Sequence, residues 1–189
     1  MILTAFGLGA RHRRAHGIRT LIFWLLGGLL LGIPWLDGGC AAGRVIDGFF
    51  RDSEKGYQVR LPPSPWTSEP LEGAVLAFRA PALRAGMALG VECRPMPPDD
   101  WPWVAQHLFF GLRDKQVEGR ERFRLHGTEA VRTRITARLD RVPVEVEAVS
   151  VRRADCLYDF MYVAPPATFS QGRADFETFV ASWTPLPAR

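Results

Sequence analysis

The sequence predicts an α+β fold, a mostly antiparallel β-sheet with flanking helices arranged as a sandwich. Three observations predict it. Short stretches alternating between apolar and polar residues recur from Tyr57 to Val163. Helical apolar spacing occurs in two places, after Asp99 and near the C-terminus. The strand-like stretches are joined mostly by hairpin-like connections, which suit antiparallel neighbours better than parallel crossovers. At 189 residues, 47% hydrophobic and 23% charged, the chain is globular in composition and long enough for one ordinary domain.

The N-terminal stretch has the build of an export leader. Basic residues end at Arg19, an apolar run follows from Thr20 to Leu36, and the small residues Gly38 and Gly39 precede Cys40. Asp37-Gly38-Gly39-Cys40 resembles the cleavage box of bacterial lipoproteins, in which the cysteine becomes the lipidated first residue. The alternative is an uncleaved anchor. The 17-residue run makes roughly 26 Å of helix, short of the roughly 30 Å of a bilayer core, and favours the lipoprotein. The expected organisation is a signal peptide or anchor over 1–39, a tether over 40–47 and a single domain over 48–187. Basic residues before the apolar run hold that end in the cytoplasm and place the rest outside it. Ala41 lacks the acidic character that retains many lipoproteins at the inner membrane, so the resemblance implies the outer one.

Charge supports the same division. Of 24 basic and 20 acidic residues, Arg11, Arg13, Arg14, Arg19 and Asp37 lie before Cys40, leaving 20 basic and 19 acidic groups in the body. A nearly neutral body lacks the clustered positive charge with which proteins bind nucleic acid.

Within the body, Tyr57, Val59 and Leu61 alternate with Gln58 and Arg60, a strand that stops at Pro62-Pro63. A second strand is expected over Ala74–Arg79. A third, over Met87–Cys93, places Met87, Leu89, Val91 and Cys93 on one face. Asp99-Asp100-Trp101-Pro102 reads as an acidic helix start with proline in the first turn. Trp101, Val104, Ala105, Leu108, Phe109 and Leu112 then follow at helical spacing, with Trp103 and Phe110 off that stripe. A hairpin about Asp140-Arg141 pairs Leu139 with Val142, Ala137 with Val144 and Ile135 with Val146. Its other face sets Arg134 opposite Glu147 and Arg138 diagonal to Glu145, a charge-matched face expected to be wet or partly covered. Leu157–Val163, apolar on both parities apart from Asp159, reads as a central strand. A closing helix is expected from near Ser170, with Phe176, Phe179, Val180 and Trp183 in line, ending at Pro185.

Gly56-Tyr57-Gln58-Val59-Arg60-Leu61-Pro62 with Trp66, and Tyr158-Asp159-Phe160-Met161-Tyr162 followed by Phe169, Phe176, Val180, Ser182 and Trp183, resemble the PsbP-like group. That group shares an α/β/α sandwich with small bacterial lipoproteins of the DcrB type. The resemblance runs from Gly48 to Leu186 and rests on core and turn positions. It implies a fold and no set of catalytic residues.

Reactive side chains are sparse. His107 lies at a helix edge and His126 at a turn before Gly127, and neither belongs to a metal-ligand spacing. Asp99 and Asp100 suit helix capping better than acid-base work. Asp159, in an otherwise buried strand, requires a hydrogen-bond or charge partner. Cys93 and Cys156 either form a disulfide in an oxidising compartment or fill the core as small hydrophobes. No motif for a cofactor, a metal or a nucleophile is present, and no cofactor is expected. The aromatic cluster Trp101, Trp103, Phe109 and Phe110 exceeds what one core-facing stripe needs and marks a binding surface. The expectation is a non-enzymatic, membrane-anchored envelope protein, lipidated at Cys40, that binds an envelope protein partner. The alternative is a carrier or sensor of lipid or another apolar small molecule, with a pocket between the aromatic helix and the sheet.

Overall fold

A computed structural model describes residues 43–95, 108–109 and 111–187. In chain order its strands are β1 (Arg44–Ile46), β2 (Phe49–Asp52), β3 (Tyr57–Arg60), β4 (Thr67–Ser68), β5 (Leu76–Ala80), β6 (Ala85–Cys93), β7 (Arg113–Leu125), β8 (Thr128–Leu139), β9 (Val142–Arg153) and β10 (Cys156–Ala164). Helix α1 (Pro166–Ala181) and a short β11 (Thr184–Pro185) close the fold. Seven strands form one sheet in the order β4-β5-β6-β10-β9-β8-β7, and β1-β2-β3-β11 form a smaller one. Neighbouring strands are antiparallel throughout both sheets. This is the α+β class expected from the sequence.

The register follows side-chain chemistry. Leu139 pairs with Val142, Ala137 with Val144 and Ile135 with Val146, while Arg134 faces Glu147 on the opposite side. Asp140 and Arg141 both have positive φ, 48° and 70°, the pattern of a two-residue type I′ turn whose twist matches that of the strands. β10 lies between β6 and β9. Leu157, Tyr158, Phe160, Met161, Tyr162 and Val163 are all buried, as a strand apolar on both parities requires.

One face of the large sheet is covered by α1. Pro166 opens the helix at a position where its missing N–H is no loss. The helix buries Phe169, Gly172, Phe176, Phe179 and Val180. Their rings meet Phe78, Phe160 and Tyr162 of the sheet at centroid separations of 4.9 to 5.7 Å. Gly172 permits this approach, since a Cβ there would lie 2.7 Å from the Tyr162 hydroxyl. Phe50, Tyr57 and Val59 of the small sheet join the same core. On the other face, Ile135, Ala137, Val144, Val146, Ala148, Met161 and Val163 form a second cluster, on which Phe109 and Leu112 pack.

Several expectations need correction. The closing helix begins at Pro166, four residues before Ser170, because Pro165-Pro166 supplies a start that apolar spacing does not register, and it ends at Ala181, before Trp183 and with Pro185 in β11. The second strand begins at Leu76, since Ala74 closes a turn by donating its N–H to the Leu71 carbonyl and Val75 follows at a bend. Residues 96–107 and 110 of the aromatic helix lie outside the described residues. Leu108 and Phe109 form part of a 3-10 turn, and the chain is extended from Arg113. β7 was not foreseen. It is exposed on both faces over most of its length, so its sequence, rich in Arg and Glu, carries no apolar alternation. The charged face of the β8–β9 hairpin, by contrast, is partly covered as one of the two expected outcomes had it, because α1 lies over Glu147 and buries it completely. β1 falls within residues assigned to the tether.

Candidate functional site

The sheet face bearing Phe109 is where the sequence places a binding surface. Strand alternation brings Ile135 and Ala137 of β8, Val144, Val146 and Ala148 of β9, and Met161 and Val163 of β10 onto it. Phe109 is 5% exposed and packs on this cluster with Leu112. Phe109 is therefore a core residue, and an aromatic surface would have to be carried by Trp101, Trp103 and Phe110, which lie outside the described residues. At one end of the face, Leu139, Val144, Val163 and Ala164 line a cleft of about 50 Å³ together with Arg84 and the ion pair of Arg79 and Glu69. Such a volume holds a water or two. It is far below the roughly 300–1,000 Å³ of sites that enclose a small organic ligand. This cleft gives the apolar-carrier reading no support.

The ionisable side chains that reach the interior are occupied by the fold. Asp52 Oδ1 accepts from the backbone N–H groups of Glu54 and Lys55, closing the turn between β2 and β3. Asp159 sits opposite Ser150 in the β9–β10 register and accepts from its hydroxyl at 2.5 Å. Glu147 takes two arginines. Arg173 Nε of α1 donates to its Oε2 at 2.8 Å, and Arg132 Nε approaches its Oε1 at 3.2 Å in an ion pair without hydrogen-bond alignment. Arg173 in turn reaches Glu177, and Arg134 pairs with Glu145 while lying over the Phe169 ring. The hydrogen bond to Glu147 is the main reason the Arg173 guanidinium is held above its ordinary range. The register predicted from sequence holds, but Arg132 and Arg134 of β8 make their ion pairs with Glu147 and Glu145 diagonally across β9, and Arg138 pairs with Asp114 of β7. The two ion pairs of Glu147 clamp α1 to β8 and β9.

His126 occupies the β7–β8 turn at φ 48°, and its Nε2 lies 2.8 Å from the Ala181 carbonyl at the end of α1. It ties that turn to the helix terminus, a contact that sequence reasoning did not foresee because 55 residues separate the two. His107, Asp99 and Asp100 lie outside the described residues. Among the described residues no group of three or more His, Cys, Asp or Glu side chains is placed to hold a metal ion.

Cys93 and Cys156 lie directly opposite each other at the ends of β6 and β10, with Cα atoms 4.0 Å apart and their sulfurs bonded. Cys40 lies outside the described residues. Among the described residues no helix is long and apolar enough to cross a membrane.

No protein-family model matches the chain. No curated protein matches it. Among solved structures it is similar to cyanobacterial PsbP from Synechocystis sp. PCC 6803, with a TM-score of 0.58 and 14% identity over 72% of this chain and 91% of that one. A Pseudomonas aeruginosa protein of unknown function gives a TM-score of 0.49 at 14% identity, covering 69% of this chain and 92% of that one. A Bacteroides thetaiotaomicron structure gives 0.49 at 8% identity, covering 69% of this chain and 45% of that one. The PsbP likeness shows the fold. The chain carries a domain with a PsbP-like fold.

Proposed function

We propose that this chain is a non-enzymatic envelope lipoprotein of the DcrB type, lipidated at Cys40, whose PsbP-like domain acts outside the cytoplasm as an accessory or assembly factor for a protein partner. The observation that carries this reading is the bond between Cys93 and Cys156. Structural disulfides persist in oxidising compartments and are rare in the cytosol, so the pairing agrees with an export leader in residues 1–39. Asp52, Glu147 and Asp159 are engaged in turns, ion pairs and a cross-strand hydrogen bond, which leaves them structural work. Ala41, where an Asp would mark inner-membrane retention, favours the outer membrane over the inner one.

The test is a Cys40→Ser substitution followed by membrane fractionation and mass analysis of the N-terminus. The expected native form begins at a lipid-modified Cys40, and the variant accumulates with its leader intact. A native protein that keeps residues 1–39 and carries no lipid would make it an uncleaved anchored protein instead.

A further inference from the structure

Side chains along β2 and β3 alternate between the core and the outside, whereas all three residues of the edge strand β1 are exposed, Val45 at 59%. Phe50, Asp52, Tyr57 and Val59 point inward and are buried. The register pairs Arg44 with Arg51, Ile46 with Phe49, and Phe49 with Arg60, so these five share the outward face. That face has an unusual make-up. Ile46 is 44% exposed, and the Arg60 guanidinium lies 4.6 Å from the centre of the Phe49 ring. Arg44 and Arg51 stand directly opposite each other, a like-charge pair that weakens a sheet. Among the described residues no carboxylate forms an ion pair with Arg44, Arg51 or Arg60. On the large sheet, by contrast, Glu145 and Glu147 form ion pairs with Arg134, Arg132 and Arg173.

We propose that this face docks on the anionic phospholipid surface of the membrane that anchors the chain. The proposal rests on the anchored reading above. Cys40 precedes Arg44 by four residues, which span at most about 14 Å when fully extended. The face is thus confined near the headgroups whether the anchor is a lipid on Cys40 or a helix ending before it. Guanidinium groups pair well with phosphate, and an aliphatic and an aromatic side chain set among them suit the boundary between headgroups and acyl chains. The opposed pair Arg44 and Arg51, repulsive in the isolated domain, becomes favourable when phosphates lie across it. A second copy seated face to face would instead bring arginine against arginine.

The full chain, purified from membranes, is reconstituted into vesicles of phosphatidylcholine alone or with added phosphatidylglycerol, and amide hydrogen exchange is followed over residues 43–53. Exchange in β1 is expected to slow about tenfold or more in the anionic vesicles, and the slowing is expected to fade as salt is raised. The variant Arg44→Gln/Arg51→Gln/Arg60→Gln should remain vesicle-bound and lose the difference, with exchange in β9 unchanged to show that it is folded. Equal exchange in both vesicle types, or protection that depends on protein concentration rather than lipid charge, would overturn the proposal. Anchoring is read separately by flotation. A chain that fails to float with phosphatidylcholine vesicles defeats the anchored reading, while lipid-dependent protection on adding anionic vesicles would still support the face.

Discussion

Tyr57 and Tyr162 are both fully buried, yet their hydroxyls differ in one contact. The Tyr162 hydroxyl donates to the Phe169 carbonyl at 2.9 Å, while that of Tyr57 has no hydrogen-bond partner among the described residues. A buried polar group without a partner stabilises nothing and retains its desolvation cost, whereas a satisfied one contributes about 1 kcal/mol. Tyr57→Phe is therefore expected to leave stability unchanged or raise it. Tyr162→Phe should lower it by about 1 kcal/mol. Urea denaturation midpoints at constant slope check both, and a larger loss for Tyr57→Phe would show that its hydroxyl is satisfied. At this scale the sequence was partly legible. The need of Asp159 for a partner was evident from its apolar flanks, but Ser150 as a partner depended on the β9–β10 register. The burial of Phe109 was not legible, because a rich aromatic cluster looks alike whether it covers a sheet or faces solvent.

Two-residue turns recur between strands, and they are not equally well made. Asp47-Gly48 and His126-Gly127 each place glycine second, at φ 75° and 80°, while Asp140-Arg141 places an arginine there at φ 70°. A side chain in that left-handed region costs roughly 1–2 kcal/mol relative to its preferred conformation, and glycine carries no such penalty. Glycine also gives the unfolded chain more freedom, which offsets part of the gain. Arg141→Gly is expected to stabilise the β8–β9 hairpin by about 0.5–1 kcal/mol net, with an increase in melting temperature of about 2–4 °C by calorimetry. A decrease would mean that the arginine side chain makes a contact worth more than the strain. This hairpin was readable from sequence because its buried face leaves a single register in which all three apolar pairs align. β7, its neighbour on the other side of β8, was not, since an exposed edge strand carries charges that defend it rather than a pattern that announces it. The early start of α1 escaped for a different reason, as proline at the first position leaves no trace in apolar spacing.

For the molecule as a whole, the fold class was legible because hairpin connections and two-faced strands constrain the sheet strongly. The site was less legible, because a binding surface needs no particular residue types in order to fold. The packing beneath α1 makes the core a sensor of alkaline pH. The chain has three tyrosines, and Tyr57, Tyr158 and Tyr162 all lie in the core beneath α1. Burial is the largest cause that raises each phenol above its usual value of about 10, with Tyr162 pushed up to about 12. Asp52 adds to the rise at Tyr57, and Arg153 partly opposes it at Tyr158. Above pH 10 the unfolded chain releases these protons while the folded one retains them. The unfolded state then binds fewer protons, so stability, complete below about pH 10, falls as pH rises through the raised values. The expected result is an alkaline transition in which tyrosinate absorbance appears together with loss of the near-ultraviolet dichroism, above pH 10 and in one step. In concentrated urea the same absorbance should rise gradually about pH 10. A tyrosine ionising near pH 10 while the dichroism is intact would mean that one of these hydroxyls opens to solvent in the native state, and that the aromatic core beneath α1 is looser than its ring contacts imply.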